Sequence, residues 1–250
     1  MIKFSLITVC YNSANTIADT IESVRVQTYN NYEYIIIDGA SVDGTSDVVN
    51  RYVDSIDYFV SEPDDGLYDA INKGIAVATG DVIGILNSDD LYSSPFILET
   101  IASAFNADDS LQSVIGNISF INSGRFFTRY YSSKFWKPSY FKLGIMPPHP
   151  SFYCRREVFS KFGNYRTDFL IAADFELLIR LLYSRKITYK YLHLDMVSMK
   201  PGGISNRGVK SFLTISREMI KAARVNSLPT NYLFVSLRLF LKLTELRLSF

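Results

Sequence analysis

Gly80-Asp81-Val82-Ile83-Gly84-Ile85-Leu86-Asn87-Ser88-Asp89-Asp90 decides the fold. An apolar run from Asp81 to Leu86 reads as a strand buried on both faces, and it closes on a polar turn with two adjacent carboxylates. Upstream, Leu67 to Ala78 has helical spacing and stops at Gly80, after the loop Glu62-Pro63-Asp64-Asp65-Gly66. Downstream, Pro95 opens a helix to about Phe105. The same alternation extends to the start. Lys3 to Cys10 is a β-branched strand broken by Tyr11-Asn12-Ser13, and Asn15 or Thr16 caps a helix to about Gln27. Tyr34 to Ile37 is a second strand, stopped by Asp38-Gly39. The turn from Ser41 to Ser46 leads into a helix near Asp47 to Val53, and Tyr58 to Ser61 is a short strand. Strand–helix alternation predicts an α/β fold, a mainly parallel sheet with helices on both faces. Ligands of such sheets sit at the carboxyl ends of the strands, where Tyr11-Asn12, Asp38, Asp64-Asp65 and Asp89-Asp90 all fall.

From about Gln112 the pattern changes. Val114 to Phe120 and Arg125 to Tyr131 read as antiparallel strands, followed by a loop rich in Pro and by Ser151 to Arg155. Helices are expected near Arg156 to Phe162 and from Ala173 to Ser184, then a strand from Ile187 to Met199 and Pro201-Gly202-Gly203. The end reads as two helices, Lys210 to Val225 and Asn231 to Leu248.

The 250 residues are 48% hydrophobic and 20% charged, which excludes a disordered chain. Cys10 and Cys154 are too few for a disulfide scaffold, and His149 and His193 too few for a histidine metal site. A reducing cytosol is the default location, and no apolar run reaches the roughly 20 residues of a membrane span. The apolar start reads as a buried strand rather than a signal peptide. The net charge of +1 is uneven: −12 over residues 1–100, +6 over 101–199 and +7 over 200–250. An acidic first half suits a cation or polar ligands, and a basic end suits an anionic surface.

The Asp89-Asp90 pair is either a solvated turn or a site for Mg²⁺ or Mn²⁺, hard cations that keep waters and bind substrate phosphates. Asp38, after three Ile, suits a hydrogen bond to a base or ribose, whereas Asp43-Gly44-Thr45 is satisfied as an Asx turn. There is no Gly-rich phosphate loop, which argues against P-loop kinases and dinucleotide oxidoreductases. Asp174 and Glu176 lie about 200° apart on one helix, so one of them faces a cleft; the small Ala172-Ala173 pair favours Asp174, a candidate general base. His149, among prolines, reads first as a structural or exposed histidine. Tyr68, Trp136 and Tyr140 offer a sugar-stacking wall, with Trp136 and Tyr140 read first as core.

Together the stretches 5–12, 35–45, 61–74, 80–90 and 172–177 resemble, in order over about 200 residues, the family 2 glycosyltransferases of GT-A fold. These are inverting enzymes that use sugar nucleotides. The run Asp65-Gly66-Leu67-Tyr68-Asp69-Ala70, together with Asn87-Ser88-Asp89-Asp90, is similar to the bacterial branch building O-antigen, capsule or exopolysaccharide. The resemblance implies a GT-A (Rossmann-like) domain over 1–205, with a nucleotide-sugar half at 1–110 and an acceptor half at 111–205. It leaves 206–250 as a helical extension, for docking on the domain or association with a membrane. It implies that Thr8, Tyr11 and Asn12 hold the nucleotide, Tyr11 stacking on the base, and that Asp38, Asp65, Asn72 and Asp89 bind the donor. Asp90, with Asp89, would hold Mn²⁺ or Mg²⁺, Asp90 being favoured. Asp174 would be the catalytic base, and His149 and Gly203 would lie on the acceptor side. Many members have Asp where this chain has Asn87.

The implied reaction is transfer of one hexose or N-acetylhexosamine from a nucleotide sugar, UDP favoured, to a saccharide acceptor on a lipid diphosphate. The Gln-x-x-Arg-Trp signature of processive synthases is absent, which argues for single-sugar transfer. The expected location is the cytoplasm, peripheral on the inner membrane face, with no nucleic-acid partner. The last helix puts Asn231, Arg238, Lys242, Glu245 and Ser249 on one side, so it either docks on the domain or anchors at a surface. A nucleotidyltransferase and a non-catalytic sugar-nucleotide-binding module are the alternative readings.

Overall fold

The computed structural model describes residues 1–121, 127–200 and 208–245. The strands are β1 (Phe4–Cys10), β2 (Tyr32–Asp38), β3 (Tyr58–Ser61), β4 (Val82–Ile85), β5 (Asp90–Tyr92), β6 (Ser113–Ile121), β7 (Phe127–Tyr131), β8 (Tyr153–Arg155) and β9 (Tyr189–Met199). They form one sheet in the order β3-β2-β1-β4-β8-β6-β9-β5, with β7 on β6. The pairs β3–β2, β2–β1, β1–β4 and β6–β9 are parallel, and β8, β7 and β5 join antiparallel. This is the mixed α/β, Rossmann-like sheet that strand–helix alternation requires.

The helices are α1 (Ile17–Arg25), α2 (Thr45–Asn50), α3 (Leu67–Val77), α4 (Ile97–Asn106), α5 (Arg156–Phe162), α6 (Ala173–Leu178), α7 (Gly208–Val225) and α8 (Tyr232–Glu245). Alternation along the strands explains why both faces are apolar. Phe4, Leu6, Tyr34 and Ile36 pack with Ile17 and Ile21 of α1 and Ile101 of α4. Ile7, Val9, Ile35 and Ile37 pack with Ile71 and Ile75 of α3 and Phe175 of α6.

Three boundaries differ from expectation. α2 begins at Thr45, two residues early, because Asp43 Oδ1 accepts from the Thr45 N–H at 3.0 Å and its hydroxyl at 2.5 Å. The helix from Ala173 changes after Leu178 to a π-helical turn, Ile179–Ser184. Asp90 does not end a turn; it opens β5, because Asp90–Tyr92 pairs with Val197–Met199 of β9. That partner lies about a hundred residues away in sequence, beyond any local signal.

Register sets the site. Cys10 stands beside Asp38, and Asp38 beside Ser61, so three strands end level and their loops share one edge. The Asp89-Asp90 turn joins that edge through Ser88, whose Oγ is 2.8 Å from Ser13 Oγ. Thr20 Oγ1 of α1 also donates to the Asp90 carbonyl at 2.9 Å. Among the described residues, no helix is long and apolar enough to cross a membrane.

Candidate active site

The loop after β1 presents Tyr11, whose ring is 66% exposed and open to stack on a flat ligand. Asn12 turns the chain at φ 51°, a left-handed conformation Asn tolerates, and its Oδ1 accepts from the Val42 N–H at 3.0 Å. Asn12 therefore ties two loops together. Thr8 is fully buried, and its hydroxyl lies 3.0 Å from Tyr34 Oη, so its side chain packs within the sheet. Side chains alternate across a strand, and position 8 points inward.

Asp38 is also fully buried. Its Oδ1 accepts from Ser41 Oγ at 2.5 Å, and its Oδ2 from Ser61 Oγ at 2.6 Å and the Ser41 N–H at 3.0 Å. Burial alone would raise its pKa, but these hydrogen bonds outweigh burial and hold the carboxyl below its ordinary range. Both oxygens are engaged within the chain, so Asp38 shapes the loop floor. A side chain at Gly39 would put its Cβ 2.4 Å from Asp64 Oδ2 and 3.5 Å from the Tyr11 ring. The bare glycine thus leaves room for Asp64 and Tyr11 to approach each other there. Asp64, rather than the exposed Asp65, lies beside Tyr11.

The acidic pair separates by burial. Asp89 is half-buried, and burial raises its pKa while Lys200 opposes the rise. Asp90 is 1% exposed, with Oδ2 accepting from Asn87 Nδ2 at 2.9 Å and Oδ1 buried with no partner among the described residues. Burial, with the Asp89 charge adjacent, pushes Asp90 up to about 8. Of the two, Asp89 is the more exposed carboxylate, and Asp90 is buried beside it with one oxygen unpartnered among the described residues. Among the described residues, no group of three or more His, Cys, Asp or Glu gathers as a metal site. The donor set fits a hard divalent ion that keeps waters and takes its other ligands from a diphosphate.

A second cluster meets this edge through α3, which starts after Gly66 at φ 109°. Its Tyr68 stacks on Tyr165, ring centroids 5.9 Å apart and 12° from parallel, and its hydroxyl donates to the Ile171 carbonyl at 2.5 Å while also reaching Asp174. His149 Nε2 lies 2.6 Å from Tyr165 Oη, and burial lowers its pKa to about 4, so the ring is neutral at pH 7. Asn72 Oδ1 accepts from the Tyr165 N–H at 3.0 Å and its Nδ2 donates to the Tyr165 carbonyl at 2.8 Å, so the amide is tied to the Tyr165 main chain.

Asp174 stands among these tyrosines in the first turn of α6. Its Oδ1 accepts from the Phe175 N–H at 2.7 Å. Burial pushes it up to about 6, with the charge of Glu218 adding to the rise, against hydrogen bonds from main-chain N–H groups and Tyr68. Glu176 faces elsewhere, bound to Arg180 at 3.0 Å and to Asn226 at 3.0 Å. Glu218 of α7, which no sequence signal marks, accepts from the N–H groups of Leu170, Ile171 and Ala172 at 2.7, 2.9 and 2.9 Å and fixes the approach to Asp174. Trp136 is buried and donates from Nε1 to the Ile145 carbonyl at 3.1 Å, so it is core. Gly203 lies outside the described residues. A cavity of about 1190 Å³ among Asn164, Arg166, Glu176, Arg180, Arg185 and Asn226 contains none of the sequence-predicted site residues.

A mixed α/β sheet of this order, with an open aromatic ring and paired carboxylates at the carboxyl ends of its strands, is a Rossmann-like fold of the GT-A type. The sequence profile described as Glycosyl transferase family 2 matches residues 5–163, and the chain belongs to that family. It is 31% identical over 181 residues, 70% of this chain and 67% of the relative, to an uncharacterised glycosyltransferase of Mycobacterium tuberculosis. It is 28% identical over 215 residues, 84% of this chain and 82% of the relative, to a PGL/p-HBAD biosynthesis glycosyltransferase of Mycobacterium bovis. Among solved structures, S. aureus TarS 1–349 matches with a TM-score of 0.67 at 18% identity, covering 88% of this chain and 65% of that one. The mannosyltransferase PcManGT of Pyrobaculum calidifontis, in complex with GDP-Man and Mn²⁺, matches at 0.64 and 21% identity, covering 92% of this chain and 65% of that one. The chain thus spans about two thirds of the length of these solved relatives.

Proposed function

We propose that the protein transfers a single hexose or N-acetylhexosamine, with inversion, from a nucleotide sugar to a saccharide acceptor carried on a lipid diphosphate, in surface polysaccharide synthesis at the inner membrane face. Residues 1–110 hold the donor and 111–205 the acceptor. The observation that carries this reading is Asp174, an oriented carboxyl raised to about 6 beside Tyr68, Tyr165 and His149. At neutral pH it is mostly ionised yet basic enough to accept a proton. Structures similar to this one hold UDP-GlcNAc and GDP-Man, which supports a nucleotide-sugar donor.

Tyr11 stacks on the base, with Asn12, Ser41 and the buried Asp38 fixing the loops around it. Asp89 would hold Mg²⁺ or Mn²⁺, which when bound neutralises charge on the departing diphosphate. Asp174 takes the acceptor's hydroxyl proton as that oxygen bonds to the anomeric carbon and the sugar–diphosphate bond breaks. Tyr68 and Glu218 keep Asp174 in place, and Asn72 keeps Tyr165 in place. The test is hydrolysis of a panel of UDP-, GDP- and dTDP-sugars with and without Mn²⁺. One donor turned over, faster with Mn²⁺, is the expected result; turnover of none overturns the reading.

A further inference from the structure

Over its described side chains, 232–238, α8 turns a charged group inward and apolar groups outward. A helix docked on a water-soluble domain buries its apolar face and shows its polar one. Here the guanidinium of Arg238 points inward, donating to Ser216 Oγ at 3.2 Å and lying over the Phe212 ring of α7, with Met219 alongside. Outward stand Tyr232, Leu233, Phe234 and Leu237, with Leu233 69% exposed. The helix is held in this orientation. Val235 is buried, Thr230 Oγ1 donates to the Lys142 carbonyl at 2.5 Å, and Asn231 Oδ1 accepts from the Phe234 N–H at 3.0 Å. A Cβ at Gly144 would lie 3.4 Å from both Arg238 and Val235, so α8 sits directly on the turn Pro138–Leu143.

The adjoining strap continues the same chemistry. Phe135 is 75% exposed with Lys134 Nζ 5.2 Å from its ring centre, and Lys137 and Tyr140 are exposed beside it. From Ser110 to Arg156 the sequence has seven Lys and Arg and no Asp or Glu, and from Leu228 to Thr244 it has no acid. Exposed aromatic and aliphatic side chains beside the exposed Lys134 and Lys137, on a strap whose sequence holds no acid, match an anionic bilayer interface, where apolar groups enter the headgroup layer and cations face lipid phosphates. Behind this face, Trp136 packs on Phe141 and Phe141 on Phe175 of α6, the neighbour of Asp174.

We propose that the outward face of α8 and the strap Lys134–Lys142 dock on an anionic lipid surface. This deepens the proposed function by giving the acceptor an address, and it rests on that reading only for the acceptor. The test is co-sedimentation of the full chain with phosphatidylcholine–phosphatidylglycerol vesicles and with pure phosphatidylcholine vesicles, without sugar nucleotide. The wild type pellets with the anionic vesicles, less with the neutral ones, and less as salt rises. Leu233→Glu/Leu237→Glu and Lys134→Glu/Lys137→Glu each lower partitioning at least about tenfold while melting as wild type does, because all four side chains are exposed or face outward. Wild type left in the supernatant with anionic vesicles overturns the proposal, as does either variant pelleting as completely as wild type. Self-association of the wild type that the leucine variant abolishes assigns the face to a second copy and overturns it too. None of these outcomes bears on whether the sugar is transferred.

Discussion

Removing one hydroxyl beside Asp174 tests its role as base. Tyr68 is buried, its phenol is 2.5 Å from the Ile171 carbonyl oxygen, and it also reaches the Asp174 carboxylate. Tyr68→Phe keeps the ring stacked on Tyr165 and removes only that oxygen. A hydrogen bond to a charged group contributes about 1.5–3 kcal/mol, and sharing with Ile171 leaves about 1 kcal/mol favouring the ionised form. The Asp174 pKa then rises from about 6 toward about 7, since one pKa unit is about 1.4 kcal/mol. A base must be ionised, so activity grows with pH through that value. The assay is the pH profile of kcat/KM for donor turnover. The variant should lose about fivefold at pH 6 and little above pH 8. Freed of its partner, the Ile171 carbonyl should also cost about 1–3 kcal/mol of stability, read as a lower Tm. An acid limb that stays in place, or falls by the same factor at every pH, refutes the claim that Asp174 titrates in turnover.

Other outcomes follow from single contacts. Tyr11→Ala should weaken UDP binding about tenfold or more, from the loss of base stacking at about 1–3 kcal/mol, as calorimetry would show; unchanged affinity would remove Tyr11 from the base site. Asn72→Leu breaks both hydrogen bonds to the Tyr165 main chain, so kcat should fall with donor KM nearly unchanged, whereas a raised donor KM alone would return Asn72 to the donor site. Asp90 has a folded pKa near 8, above its unfolded value of 3.8, so the folded state binds the extra proton between the two. The Asp90 contribution to stability should therefore fall as pH rises from about 4 to 8, so the Tm of wild type relative to Asp90→Asn should decline across pH 5 to 8. A Tm difference between the two that does not change with pH would contradict the burial of Asp90.

Strands β1, β2 and β4 were legible because each carries an apolar run, the mark of burial on both faces, and each is followed by a polar turn. The sheet edge carrying the site followed from that alternation. What local pattern could not show was which side chains face outward. Thr8 looks like a strand-end ligand, yet strand pleating turns it to Tyr34. Asn72 sits on the correct helix but spends both ends on Tyr165, and Glu218 acts from a helix whose spacing marks only its amphipathic face. Asp89 and Asp90 are indistinguishable in sequence. They separate because Asp90 pairs with Met199 in β5, a contact no window near residue 90 contains. The outward apolar face of α8 was hidden for the opposite reason, since its periodicity gives two faces and not which one meets the domain.

The most direct measurement of the central claim compares wild type with Asp174→Asn for donor turnover, with UDP affinity measured on the same samples. The account predicts that turnover falls by about a hundredfold or more, the usual contribution of a general base, while UDP binds as before. Turnover that survives the substitution would contradict it.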